Sequence, residues 1–204
     1  MIILASTSPR RQEILGRYID YKVITKDIEE NNTEYLNPEQ LVSALSFEKG
    51  IAVARDNERD IVISADTVVS IENEALGKPK NRDDAFKMIK KLSGRTHKVL
   101  TGYSIFKLDE NIKVTNYVIS EVKFKDLSEE DINDYLDTEE YIGKAGAYAI
   151  QGYGGLLVEN IIGDFDNIVG LPISKIFDEI KSLFNISMLK EVNNGKVKWK
   201  GIKI

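Results

Sequence analysis

The order of apolar and polar residues divides the 204-residue chain into strands and helices that alternate for most of its length. Ile2–Ala5 is an unbroken apolar run of strand length, and 9–18 follows with Ile14 and Leu15 on one helical face. Asn37 and Pro38 supply a cap and a first-turn proline, opening a helix that runs to about Arg55. Ile61–Ala65 is again continuously apolar and reads as a short, fully buried strand. Over 83–92, Ala85, Met88, Ile89 and Leu92 recur with the helical period. Partly alternating stretches near 97–107 and 113–125 predict two long strands, and Ser128 caps a helix with Ile132, Tyr135 and Leu136 inside. A short strand at 156–159 and a helix carrying Ile173, Ile176, Phe177 and Ile180 complete the pattern. This alternation predicts a mixed α/β (α+β) fold. From Ser187 the chain turns lysine-rich and ends in NNGKVKWKGIKI, read as a turn and a short strand. The expected organisation is one domain over 1–185 and an extension over 186–204 with no assigned role.

Composition narrows the chemistry. At 42% hydrophobic and 30% charged residues the chain has the make-up of a soluble globular protein. No apolar run approaches the ~20 residues that span a bilayer, and Ile2–Ala5 is too short for a signal peptide. A cytoplasmic protein with no membrane partner is therefore expected. The absence of cysteine excludes disulfides and thiolate catalysis, and a single histidine, His97, excludes sites with several imidazole ligands. Any metal would be held mainly by oxygens, which suits Mg2+ or Mn2+. A net charge of -5 argues against nucleic acid as a partner, yet leaves room for a few cations to converge on one small anion.

Several segments fit such an anion. In Ser6-Thr7-Ser8-Pro9-Arg10-Arg11 an apolar strand gives way to hydroxyls, a proline and two arginines where a helix starts. The segment is either an ordinary capped helix with a solvated basic pair or a phosphate seat, in which backbone donors, the helix dipole and forked guanidinium donors act together. Asp66, read at the end of the strand in DIVISADTVV, could hold a metal, accept a proton from water, or merely start a turn. Lys49 projects into the apolar arc of its helix with Leu45 and Val42, so it must snorkel, pair or reach an anion. Lys78 sits in a turn enforced by Gly77 and Pro79. The glycine-rich runs GKAGAYAIQGYGG and GDFDNIVGLP allow close backbone approach, and Gln151 carries the paired donor and acceptor that can read a base edge. His97 is read as structural.

The ordered set LASTSPRR, SADTVV, GKP, LSGRTHKVLTG, KAGAYAIQG and NIVGLP, spanning residues 2 to about 184, resembles the Maf family of nucleoside triphosphate pyrophosphatases, first described as septum-formation inhibitors. The resemblance implies a two-lobed mixed sheet flanked by helices with a central cleft, similar to inosine triphosphate pyrophosphatases, and often a homodimer. It implies hydrolysis between the α and β phosphates with a divalent cation. By the same resemblance Asp66 matches the general base or metal-organising carboxylate, and Glu30 an acidic site residue that shares the metal. Arg11, Lys49 and Lys78 match phosphate-contacting positions with Ser8 beside them, while Arg10, Thr67 and Gln151 match positions that set substrate preference. KAGAYAIQG favours the dTTP/UTP branch over the 7-methyl-GTP branch. One departure is Gly143, where the pyrimidine branch usually carries aspartate, with Glu139 and Glu140 as the nearby carboxylates. The competing expectations are a non-catalytic nucleotide-binding regulator of division and the same chemistry on another nucleotide.

Overall fold

The computed structural model describes residues 1–28 and 37–195. Its elements run β1 (Ile2–Leu4), α1 (Pro9–Gly16), β2 (Lys22–Val23), α2 (Pro38–Ala54), β3 (Ile61–Ile71), β4 (Glu74–Leu76), α3 (Arg82–Leu92), β5 (Thr96–Lys107), β6 (Ile112–Phe124), α4 (Glu129–Asp137), β7 (Val158–Ile162), α5 (Phe165–Val169), α6 (Ile173–Phe184) and α7 (Met188–Asn193). The helix starts follow local chemistry. Asn37 accepts from the Gln40 N–H, Asn81 from that of Asp84, and Ser128 forms a reciprocal capping box with Asp131.

The strands form one mixed sheet in the order β2-β1-β3-β5-β6-β7, with β4 pairing β3 beyond that path. β3, β5 and β6 are long and antiparallel and run through the whole sheet. One apolar cluster, with Leu4, Ile14, Ile63, Ile176 and Ile180, lies under α1 and α6. A second, with Ile89, Leu92, Phe124, Ile132 and Leu136, lies under α3 and α4. The opposite face is covered by α2, whose approach needs two glycines. A Cβ on Gly50 would fall 2.3 Å from the Phe106 ring and from Ser64 Oγ, and one on Gly102 would fall 2.2 Å from the Val42 carbonyl oxygen.

The expected fold class holds, and three local expectations change. The strand read as Ile61–Ala65 continues to Ile71, so Asp66 lies in mid-strand and not at a strand end. Its polar residues are satisfied from outside the strand, Ser64 Oγ for example donating to the Ser46 carbonyl at 2.6 Å. The strand expected at 156–159 begins only at Val158, because Tyr153–Leu157 tightens into a 3-10 turn through its glycines. At the C-terminus Met188–Asn193 is helical, with Met188 buried in the first cluster, and the end of the expected tail strand (196–204) lies outside the described residues.

His97 is structural, as expected. It is 2% exposed, edge-on to Phe124 and Tyr148, with Nε2 2.9 Å from the Tyr148 hydroxyl. Burial pushes the imidazole down to about 4, so it is neutral at pH 7. An unfolded histidine titrates near 6.5, so below that pH the unfolded chain takes up a proton that the folded one refuses. Stability is complete above about pH 6.5 and falls as the pH drops toward 4, by about 2–3 kcal/mol at pH 4.5 from this residue. Urea unfolding of His97→Phe should lose that much less than the parent chain between pH 7 and 4.5. Equal losses in the two proteins would contradict the assignment.

Candidate functional site

The site arises from a change of partner along β3. On one side β3 pairs continuously with β5, from Val62↔Phe106 to Ser70↔Lys98. On the other it pairs in parallel with β1 over Ile61–Ile63 and antiparallel with β4 over Val69–Ile71. Among the described residues, no strand lies beside residues 64–68 on that side. A cavity of about 530 Å³ opens at this gap, within the range of small-molecule sites, and both Asp66 and Thr67 reach it although they point to opposite faces of the strand.

Among the described residues the lining carries six cations, Arg10, Arg11, Lys26, Lys49, Lys78 and Lys144, against two carboxylates, Asp27 and Asp66. In a chain of net charge -5 this is a strong local reversal, and it suits a polyanion. The α1 N-terminus enters the wall through Ser8 and Pro9. Ser8 occupies the N-cap position but its side chain makes no capping bond, so the first-turn donors of the helix carry no side-chain cap.

The cations differ in how they are held. Lys49 Nζ donates to Asp66 Oδ1 at 2.5 Å, which resolves its inward position on α2. Lys26 is ion-paired with Asp56. Arg11 is bonded to Ala65, Thr67 and Gly170. Among the described residues, by contrast, Arg10 and Lys78 have no hydrogen bond or ion pair, and Lys144 donates only to the Ile142 carbonyl, at 3.1 Å. Burial lowers the Arg10 guanidinium from its usual range, opposed by the nearby Glu140 charge, and lowers the Lys144 ammonium, with the Arg10 charge adding to the effect. A bound anion would relieve both. The Lys78 turn is tied to the KAGAY segment by the Gly146 N–H donating to the Gly77 carbonyl at 3.0 Å.

The structure thus brings Ser8, Arg10, Arg11, Lys49, Asp66, Thr67 and Lys78 to one cavity. Gln151 is not among them: it is exposed and outside the lining, and its neighbour Ile150 faces the cavity instead. Glu30 lies outside the described residues. Gly143 lines the cavity at φ +71 with open space where a Cβ would project. Glu140 does not stand in for an aspartate there, because its two oxygens accept the Tyr153 and Gly154 backbone N–H groups at 3.0 and 2.8 Å, and Glu139 is exposed outside the lining. Sequence reasoning missed Lys26, Asp27 and Lys144. Lys144 was detectable as the charged member of a glycine-rich run, whereas nothing local marks Lys26 or Asp27.

Fold and cavity together define an α/β protein with a cation-lined cavity beside a lysine-paired carboxylate. The chain belongs to the Maf-like protein family, whose profile matches residues 1–183. It is 54% identical over 188 residues to the dTTP/UTP pyrophosphatase of Clostridioides difficile (strain 630), covering 92% of this chain and 97% of that one. It is 48% identical over 190 residues to the dTTP/UTP pyrophosphatase of Thermoanaerobacter sp. (strain X514), covering 92% and 99%. The solved Ham1 protein of Staphylococcus aureus aligns over 96% of this chain and 95% of that one at TM-score 0.49 and 16% identity. Among the described residues no helix is long and apolar enough to cross a membrane.

Proposed function

We propose that the protein is a nucleoside triphosphate pyrophosphatase that hydrolyses dTTP and UTP to the monophosphate and pyrophosphate. The observation that carries this reading is the set of six cations around Asp66 in one nucleotide-sized cavity, and the names of its relatives support the substrate class. Lys78 and Arg10, with their donors uncommitted among the described residues, and the α1 N-terminus hold the phosphates. Lys49 fixes one Asp66 oxygen and leaves Oδ2 to accept a proton. Water attacks the α-phosphorus in line; its oxygen forms the new P–O bond and its proton passes to Asp66. The bond from the α-phosphorus to the bridging oxygen breaks, and pyrophosphate leaves with its charge held by the cations.

A divalent cation suits this donor set. Among the described residues no three acidic or histidine side chains cluster, but Asp66 and Asp27 present hard carboxylate oxygens to the same cavity. Mg2+ is commonly bound by one or two carboxylates together with substrate phosphates. Asp66 and Asp27 would therefore hold Mg2+ or Mn2+, with Glu30 the further ligand that the family resemblance implies. When bound, the ion neutralises charge that develops on the phosphates.

Pyrophosphate release from dTTP, UTP, CTP, GTP, ITP and 7-methyl-GTP, with Mg2+ or Mn2+, tests the reading. Turnover confined largely to dTTP and UTP is expected. Preference for 7-methyl-GTP or a purine would overturn the substrate assignment, and no release from any would overturn the enzyme assignment in favour of a binding protein.

A further inference from the structure

We propose that Arg11 acts as a positioning residue: its guanidinium takes the place of the strand partner that residues 64–68 of β3 lack among the described residues, and it holds the segment that carries Asp66 against the turn at Gly170. The kinetic part of this inference rests on the pyrophosphatase reading above. Backbone groups on an open strand edge need partners when they are removed from water. Within the gap at 64–68, Arg11 Nη1 donates to the Ala65 carbonyl at 2.8 Å and Nη2 donates to Thr67 Oγ1 at 2.9 Å. These are the residues on either side of Asp66. The third arm, Nε, donates to the Gly170 carbonyl at 2.8 Å, bringing in the turn after α5.

Thr67 extends the contact through a chain of hydroxyls whose direction is determined. Thr101 spends its proton on the Asn167 carbonyl at 2.8 Å, so in the 2.9 Å contact between the two threonines it is Thr67 that donates. The single proton of Thr67 therefore points into the sheet, while its oxygen accepts from Arg11. Thr67 and Arg11 form one connected unit between α1, β3, β5 and the α5 turn. Gly170 has φ +123, and a Cβ there would lie 3.2 Å from Thr67 Oγ1 and 3.4 Å from Arg11 Nε, so the turn is shaped for this contact. Only a planar fork serves three acceptors in fixed directions; a lysine would reach one at a time.

A phosphate ligand and a positioning residue fail differently. Loss of a ligand weakens binding of substrate and of pyrophosphate, whereas misplacing Asp66 lowers kcat. For Arg11→Lys we expect kcat on dTTP to fall about 10²-fold, with KM and the inhibition constant of added pyrophosphate within about twofold of the parent. Lys78→Ala, as the comparator for a lost phosphate contact, should raise both. Thr67→Val, which keeps the shape and deletes the acceptor, should move kcat in the same direction as Arg11→Lys and serves if that variant fails to fold. Amide hydrogen exchange at 64–68 and at 170–171 should accelerate in both variants while α3 and α4 stay protected. A rise in KM and in the pyrophosphate constant with kcat and local exchange unchanged would overturn the proposal. If the parent chain releases no pyrophosphate, the pyrophosphatase reading fails, and the exchange comparison still decides whether Arg11 holds the segment.

Discussion

Replacing Asp66 by Asn should lower pyrophosphate release from dTTP by about 10³-fold or more while leaving dTTP affinity within a few-fold of the parent. The size follows from the proton-transfer contribution of a positioned carboxylate, about 10²–10⁴-fold, to which loss of an anionic metal ligand adds. The affinity is preserved for geometric and electrostatic reasons. Asn has the same shape, and its carbonyl oxygen can still accept from Lys49, whose Nζ lies 2.5 Å from the native carboxylate. Removing one negative charge from a cavity lined by six cations does not weaken its hold on a polyanion. Release assays paired with calorimetric titration of dTTP separate the two quantities. A variant that turned over at near-parent rate would remove Asp66 from the chemistry.

The largest effect on stability should come from a residue that never touches the cavity. Gly102 lies on β5 directly beneath α2, and a methyl group there would fall 2.2 Å from the Val42 carbonyl oxygen and 2.4 Å from its carbon. Both neighbours are backbone, so no rotamer change relieves the contact. Gly102→Ala must lift α2 or bend β5, and it should cost about 3 kcal/mol, at the upper end of ordinary overpacking. Since α2 also carries Lys49, the variant should lose turnover even at temperatures where it remains folded. Urea unfolding and release assays on the same preparation test both parts. A variant of parent stability would show that the helix is not held as closely as described.

The contrast between these two residues shows what the sequence makes legible. Helix starts at Asn37 and Ser128 are readable because their capping partners lie within three residues. Most of the site is readable as well, because unusual charges stand in apolar surroundings: Lys49 on the inner arc of a helix, Asp66 in an apolar strand, Lys78 in a constrained turn. The full length of β3 is not, since Ser64, Asp66 and Thr67 interrupt its apolar run and find their partners at Ser46, Lys49, Arg11 and Thr101, far away in sequence. The two arginines of STSPRR look alike in sequence. Their difference, Arg11 locked into backbone and Arg10 uncommitted among the described residues, depends on Ala65 and Gly170 and appears only when the chain is folded. Lys26 and Asp27 reach the cavity from an irregular stretch with no periodicity to betray them.

The partner change along β3 also sets how much chain must be arranged before the cavity can close. β5 and β6 are joined by a short turn at Leu108–Glu110 and Asn111, so their long ladder closes a small loop. The contacts that make the cavity span far more chain: 54 residues from Arg11 to Ala65 and 159 from Arg11 to Gly170. Loop-closure entropy weighs most on such distant pairs, and they gain only when the intervening chain is already arranged. The meander can therefore exist before the cleft does, and during synthesis the cleft waits for the turn at Gly170 to emerge. The cavity is a late property of this fold.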